Sequence, residues 1–99
     1  MFMVIINDVE KGGAGRRVVF EKQEVHVGRL PGNEVILPRG DVSGWHARIM
    51  YRDGRFIVTD LRSKHGTYVN GRKISEPAIV RDGDAIGISA FVLWLSVPN

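Results

Sequence analysis

The stretch ARIMYRDGRFIVTD, residues 47–60, decides the fold class because it reads as a complete β-hairpin. Apolar residues recur in short bursts on both sides of Asp53-Gly54, a pair that favours a two-residue turn since both residues tolerate positive φ. Working outward, the rest of the chain repeats this pattern, and no segment keeps the 3.6-residue period of a helix. The sequence therefore predicts an all-β fold.

Nine apolar bursts predict strands, and turn residues such as Asn70-Gly71 and Asp82-Gly83 separate them. The predicted strands are residues 2–6, 17–21, 24–27, 34–37, 47–52, 55–59, 67–69, 84–88 and 91–97. Many short strands joined by tight turns favour a sandwich or a barrel. A chain of 99 residues is predicted to be a single domain over residues 1–99, either alone or as a piece of a longer protein.

Composition excludes several classes of protein. The chain has no Cys, so disulfides and Cys-ligated zinc sites are excluded, and we expect a cytoplasmic location. No apolar run approaches the ~20 residues of a membrane-spanning helix, so no membrane association is expected. The formal net charge of +3 favours an anionic partner, either a phosphorylated peptide or nucleic acid.

Two of the predicted loops carry side chains suited to an oxyanion. In Gly28-Arg29 the glycine allows a close backbone approach, and the planar guanidinium can hold two phosphate oxygens. Alone, this pair is better explained as a turn glycine followed by a solvated arginine. In residues 42–47, Ser43 offers a hydroxyl to a phosphate, while His46 fits a buried, hydrogen-bonded structural role.

A third segment, residues 63–71, combines polar side chains with two glycines. Asn70-Gly71 is explained as a type I′ turn. Lys64 and His65 have no such local explanation, and they add cationic or hydrogen-bonding capacity to the loop. The three segments together therefore indicate a binding surface for an anion.

In this order and spacing, the segments resemble the forkhead-associated (FHA) family. That family has Gly-Arg, then Ser-x-x-His, then Ser-x-Asn-Gly-Thr-x-x-Asn-Gly. The matching positions are Gly28-Arg29, Asn33, residues 43–46 and residues 63–71, and framework residues extend the likeness to residues 4–97. Three spaced motifs are far more specific than a single glycine-rich match.

The resemblance implies a β-sandwich of two mainly antiparallel sheets and about eleven short strands, with the binding loops at one end. It also implies recognition of phosphothreonine on a partner protein, in Ser/Thr kinase-dependent signalling or regulated assembly. The resemblance implies neither catalysis nor a cofactor. A preference for threonine would come from a small recess for its methyl group.

By motif position, Arg29, Ser43 and Lys64 are expected to contact the phosphate. The residues expected to bind the peptide or order its loops are Gly28, His46, His65, Gly66, Thr67 and Asn70. His65 departs from the family, which has Asn there to clamp the ligand backbone. We expect protonated His65 to strengthen binding as the pH falls toward roughly 6, as long as the ligand phosphate has not itself taken up a proton.

The strongest alternative is an FHA-like domain that binds its partner without phosphate, for assembly or autoinhibition. The missing Asn at His65 keeps this alternative open, and Trp45 would then be an aromatic contact for the partner.

Other functions have weaker support. Ser43, His46 and Asp60 resemble a hydrolase triad in composition, but no nucleophile elbow accompanies them. The three histidines lie about twenty residues apart, so no metal site is predicted. Nucleic acid is not expected as the main partner, because the basic residues are scattered and lack interleaved aromatic residues.

Overall fold

A computed structural model of the chain describes residues 1–98 and consists of strands, turns and loops, with no helix in that range. The all-β prediction is thus confirmed, and no described segment is a helix able to cross a membrane. The predicted domain also includes Asn99, which lies outside the described residues. The strands are β1 Phe2–Asp8, β2 Arg16–Phe20, β3 Glu24–Gly28, β4 Val35–Ile36, β5 Ala47–Arg52, β6 Arg55–Asp60, β7 Tyr68–Val69, β8 Arg72–Lys73, β9 Ala78–Val80, β10 Ile86–Ile88 and β11 Phe91–Ser96.

All nine predicted strands are present, and their ends differ from the prediction by at most two residues. Two strands, β8 and β9, were not predicted. The β8 strand consists of two charged residues without apolar alternation, so its pairing with β7 leaves no signal in the sequence. The β9 strand has only three residues and directly follows Pro77.

The strands form two sheets, in the orders β2-β1-β11-β10-β7-β8 and β4-β3-β5-β6-β9. Neighbouring strands are antiparallel in every described pair except β3 with β4, which are parallel. The predicted sandwich of two mainly antiparallel sheets is therefore confirmed.

The hairpin that decided the fold class has the predicted turn. Asp53 has φ 53° and Gly54 has φ 75°, as a type I′ turn requires, and Arg52 lies opposite Arg55. Asn70 and Gly71 repeat this geometry, with φ 51° and 82°. Both turns therefore follow from the local sequence.

The core lies between the two sheets and follows from the alternation of each strand. Inward-facing residues of β1 and β11 are buried, while their neighbours are only partly covered. The main contributors are Phe2, Val4, Leu93 and Leu95 from one sheet, and Val25, Val27, Ile49, Phe56 and Val58 from the other. Burial of each side chain of this size stabilises the fold by about 1.5–3 kcal/mol. The packed core therefore supports the strands from which the loops extend.

Candidate functional site

Ser43 is the point at which three loops meet. Its backbone N–H donates to Nδ1 of His46 (3.1 Å), and its backbone carbonyl accepts a hydrogen bond from the Arg29 N–H (3.0 Å). Its Oγ accepts a hydrogen bond from the backbone N–H of Lys64 (2.9 Å). Because Oγ accepts this bond, and its own proton has no acceptor within residues 1–98, the hydroxyl remains able to donate to a ligand.

His46 is completely buried and connects two of these loops. Nδ1 accepts the Ser43 N–H, so the ring proton must be on Nε2, which donates to the carbonyl of Gly66 (2.9 Å). The ring is thus a neutral Nε2–H tautomer whose two nitrogens are both used by the backbone. Its position fixes the distance between the Ser43 loop and the Gly66 loop.

Arg29 presents its guanidinium beside Ser43. Its Nε donates to the carbonyl of Val42 (3.1 Å), which anchors the side chain over the neighbouring loop. Within residues 1–98, its terminal nitrogens form neither a hydrogen bond nor an ion pair. The exposed fork is therefore available to an anion.

Two loops approach each other so closely at Gly28 that a side chain does not fit there. A Cβ at this position would overlap the carbonyl oxygen of Gly44 and come within 2.9 Å of Nδ2 of Asn33. Nδ2 of Asn33 donates to the carbonyls of Leu30 (2.8 Å) and Gly44 (2.7 Å). A side chain at Gly28 would displace this junction and, with it, the neighbouring Arg29.

Asp60 organises the loop between β6 and β7. Its Oδ1 accepts hydrogen bonds from Ser63 Oγ and Thr67 Oγ1 (2.8 Å), and its Oδ2 accepts the Ser63 N–H (3.1 Å). Burial raises the pKa of Asp60, but these hydrogen bonds outweigh burial and hold the pKa below its ordinary value of 3.8. Ser63 Oγ also accepts the Gly66 N–H (2.9 Å), so a charged carboxylate stabilises the loop from within.

Lys64 and His65 are exposed at the tip of the same loop. Within residues 1–98, the Lys64 ammonium forms no ion pair, and only its backbone N–H is engaged, with Ser43. His65 lies near Asp41, a carboxylate that also accepts a hydrogen bond from Ser89 Oγ (2.7 Å). This hydrogen bond lowers the pKa of Asp41, and the charge of protonated His65 lowers it further.

Gly66 has φ 92°, and the side chain of Lys73 covers it. A Cβ on Gly66 would lie 2.7 Å from Cε of Lys73 and 3.3 Å from its Cδ and Cγ. Strand β8 thus contributes a lysine to the edge of the loop. Nothing in the sequence predicted this contact.

The structure brings together eight of the nine predicted site residues, and Asn70 is the exception. Nδ2 of Asn70 donates to Oδ1 of Asp84 (3.0 Å), and its Oδ1 accepts the Ala85 N–H (2.9 Å). Asn70 therefore orders the loop between β9 and β10. The two-residue strand β7 separates it from Gly66 and Thr67.

Sequence reasoning also missed the roles of Asp60 and Asp41. The three-residue spacing of Asp60 and Ser63 is typical of a side-chain-stabilised turn, and it could have revealed the role of Asp60. The contact of Asp41 with Ser89 joins positions 48 residues apart and leaves no local signal.

A family model described as the FHA domain matches residues 25–89 of this chain. The chain belongs to the FHA domain family. The match includes all three motifs of the site and nearly all of the sheet β4-β3-β5-β6-β9, so the resemblance drawn from the motifs is confirmed.

Relatives of this FHA domain include larger proteins. The glycogen accumulation regulator GarA of Mycolicibacterium smegmatis is 35% identical over 93 residues, covering 92% of this chain and 58% of GarA. The chloroplastic zeaxanthin epoxidase of Arabidopsis thaliana is 44% identical over 64 residues, covering 58% of this chain. This chain spans about half of GarA and only 10% of the epoxidase.

Among solved structures, the FHA domain is similar to Mycobacterium tuberculosis EmbR in complex with a low-affinity phosphopeptide. The TM-score is 0.83 at 26% sequence identity, over 96% of this chain and 24% of that chain. EmbR thus provides a relative of the same fold with a phosphopeptide bound.

Proposed function

We propose that this FHA domain binds phosphothreonine on a partner protein, with Arg29, Ser43 and Lys64 contacting the phosphate. One observation carries the proposal: within residues 1–98, the Arg29 fork, the Ser43 hydroxyl proton and the Lys64 ammonium are unpaired, and they belong to three loops that hydrogen bonds join at Ser43. The phosphopeptide complex of EmbR supports the choice of ligand.

The mechanism is recognition by charge-assisted hydrogen bonds. A phosphorylated side chain carries nearly two negative charges and three acceptor oxygens. The fork of Arg29 accommodates two of these oxygens, and Ser43 donates to the third. Each hydrogen bond to a charged group is worth about 1.5–3 kcal/mol, so three such contacts suffice for specific binding.

We propose threonine rather than serine as the phosphorylated residue. Burial of the threonine methyl group contributes about 0.8 kcal/mol, roughly a fourfold difference in affinity. Rigid loops add to this discrimination because a ligand that fits poorly cannot be accommodated by loop movement. His46 and Asp60 supply this rigidity through the hydrogen bonds described above.

The same geometry supports a binding role over catalysis. A hydrolase would need His46 to accept the proton of Ser43 Oγ, whereas both ring nitrogens are engaged with backbone groups. The carboxylate of Asp60 accepts hydrogen bonds from Ser63 and Thr67 instead of one from the His46 imidazole. Among residues 1–98, no three His, Cys, Asp or Glu side chains form a group suited to a metal ion.

The biological setting belongs to the proposal as well. We propose that a Ser/Thr kinase produces the ligand, and that the domain acts in signalling or regulated assembly. A domain covering residues 1–99 and a cytoplasmic location stay predictions from the sequence. We propose no epoxidase activity, because the chain covers 10% of that relative.

The direct test compares wild type with Arg29→Ala on a phosphothreonine peptide library, with phosphoserine and unphosphorylated versions alongside. We expect phosphothreonine-dependent binding that Arg29→Ala weakens by at least about tenfold, since one charge-assisted contact is worth about 1.5–3 kcal/mol. Arg55→Ala is the matched control, because Arg55 is an exposed arginine at the opposite end of β5 and β6. Binding that is equal with and without phosphate would contradict the proposal.

A phosphate-independent partner is the second candidate, and the exposure of Trp45 favours it. Trp45 is 47% exposed and Leu30 is 40% exposed, and both are neighbours of the loop junction. Tryptophan commonly dominates the energy of protein interfaces. A Trp45→Ala variant that loses an unphosphorylated partner while Arg29→Ala retains it would establish this second function.

A further inference from the structure

Lys73 supplies a second lysine to the loop between β6 and β7, from outside the three family motifs. It lies opposite Tyr68 at the end of the edge strand β8, and the Ile74 N–H bonds to the Thr67 carbonyl (2.9 Å). Its aliphatic stem packs on Gly66, as the 2.7 Å from Cε to an added Cβ shows. The ammonium is one covalent bond beyond Cε and therefore lies at the rim of the site.

The charge of Lys73 is unpaired within residues 1–98, as are those of Arg29 and Lys64, whereas a few cations of the domain are paired. Lys22 forms an ion pair with Glu34 (3.0 Å), and Arg39 forms one with Asp8 (2.8 Å). Lys73 is exposed and forms no such pair. Because the aliphatic part of the Lys73 side chain is packed on Gly66 and its ammonium is exposed, the ammonium is available to a ligand that lies across the loop.

The position of Lys73 separates it from the phosphate. The phosphate donors meet at the Ser43–Lys64 hydrogen bond, and Lys73 reaches the loop at Gly66. Two residues of chain separate Lys64 from Gly66, a span of at most about 7 Å. An extended peptide advances about 3.3 Å per residue, so Lys73 would face a ligand residue within about two positions of the phosphothreonine.

We infer that Lys73 binds an anionic side chain, a carboxylate or a second phosphate, close to the phosphothreonine of the ligand. This inference rests on the proposed function and specifies its peptide class. Lys73 selects the neighbouring residue, and Arg29, Ser43 and Lys64 hold the phosphate. The ammonium carries the selectivity, whereas the stem covers Gly66.

The test uses phosphothreonine peptides of one alanine-rich sequence, with a single Asp or a single phosphoserine placed at each position within three residues of the phosphothreonine. Wild type is expected to bind the best Asp peptide about two- to fivefold more tightly than the all-alanine peptide, the range of an exposed ion pair. A gain with Asp assigns a carboxylate, and a gain confined to phosphoserine assigns a second phosphate.

Lys73→Met removes the charge and keeps a long apolar stem on Gly66, so folding is expected to survive. We expect this variant to lose the preference for the anionic residue while it still binds the all-alanine phosphothreonine peptide. Arg72→Met, one residue earlier on the same strand, is the matched control and should keep the preference. A preference that persists in Lys73→Met, or is missing from wild type that binds phosphothreonine, overturns the inference. If wild type shows no phosphate-dependent binding, the proposed function fails and this inference fails with it.

Discussion

The two ends of the sandwich are built by different interactions. At the hairpin end, Asp53-Gly54 turns the chain through local positive φ angles, and a Cβ on Gly54 would touch nothing within 4 Å. At the binding end, side chains join positions about twenty residues apart, as in the bond of His46 to Gly66. The first end depends on local conformational preference, and the second depends on a buried polar network. Substitutions at the two ends should therefore lower the free energy of unfolding by different amounts.

The largest expected difference comes from His46→Ala. This change leaves the Ser43 N–H and the Gly66 carbonyl without partners and opens a cavity, so we expect a loss of about 3 kcal/mol in the free energy of unfolding. Arg55→Ala at the hairpin end should change it by less than about 0.5 kcal/mol, as exposed positions usually do. Urea denaturation followed by circular dichroism measures both. Equal costs for the two variants would refute the distinction between the ends.

An intermediate effect is expected from acid, through Asp60. Its pKa is lower in the folded protein than its ordinary value of 3.8, so its contribution to stability is complete above that pH and is lost as the pH falls through the folded-state pKa. Asp60→Asn removes the titrating group, so this variant should be less stable at neutral pH but lose less stability between pH 5 and pH 2. The measurement is the unfolding free energy across this range. Parallel curves for wild type and variant would show that Asp60 does not supply acid sensitivity at the binding end.

The smallest effect is expected at His65, which is exposed and not part of the buried network. Protonated His65 would attract the phosphate, with Asp41 and Lys64 as its charged neighbours, so the affinity of wild type relative to His65→Asn for a phosphothreonine peptide should be about twofold higher near pH 6 than at pH 8. Asn is the family residue, and the ratio of the two affinities cancels the protonation of the ligand phosphate, whose second pKa is about 6. Calorimetric titration of both proteins at the two pH values provides the measurement. An affinity ratio that is equal at both values would remove His65 from the recognition mechanism.

Much of the fold was predictable because it depends on short-range patterns. The bursts around Asp53-Gly54 and Asn70-Gly71 gave strands and turns that are present in the structure. The β8 strand was missed because its two residues, both charged, pair only through tertiary position. The motifs also located eight residues of one cluster, since the family resemblance carries long-range information that periodicity lacks.

The sequence by itself determined the all-β class, the tight turns and the residue types of the site, because turn φ angles and apolar alternation depend on neighbouring residues. Only the tertiary structure decided which groups are free to act. It placed both nitrogens of His46 on backbone groups and laid the stem of Lys73 across Gly66. Among residues 1–98, it also left the Ser43 hydroxyl proton and the Arg29 fork without acceptors. Hydrogen-bond partners and close contacts depend on the packing of segments distant in sequence, and no local pattern encodes that packing.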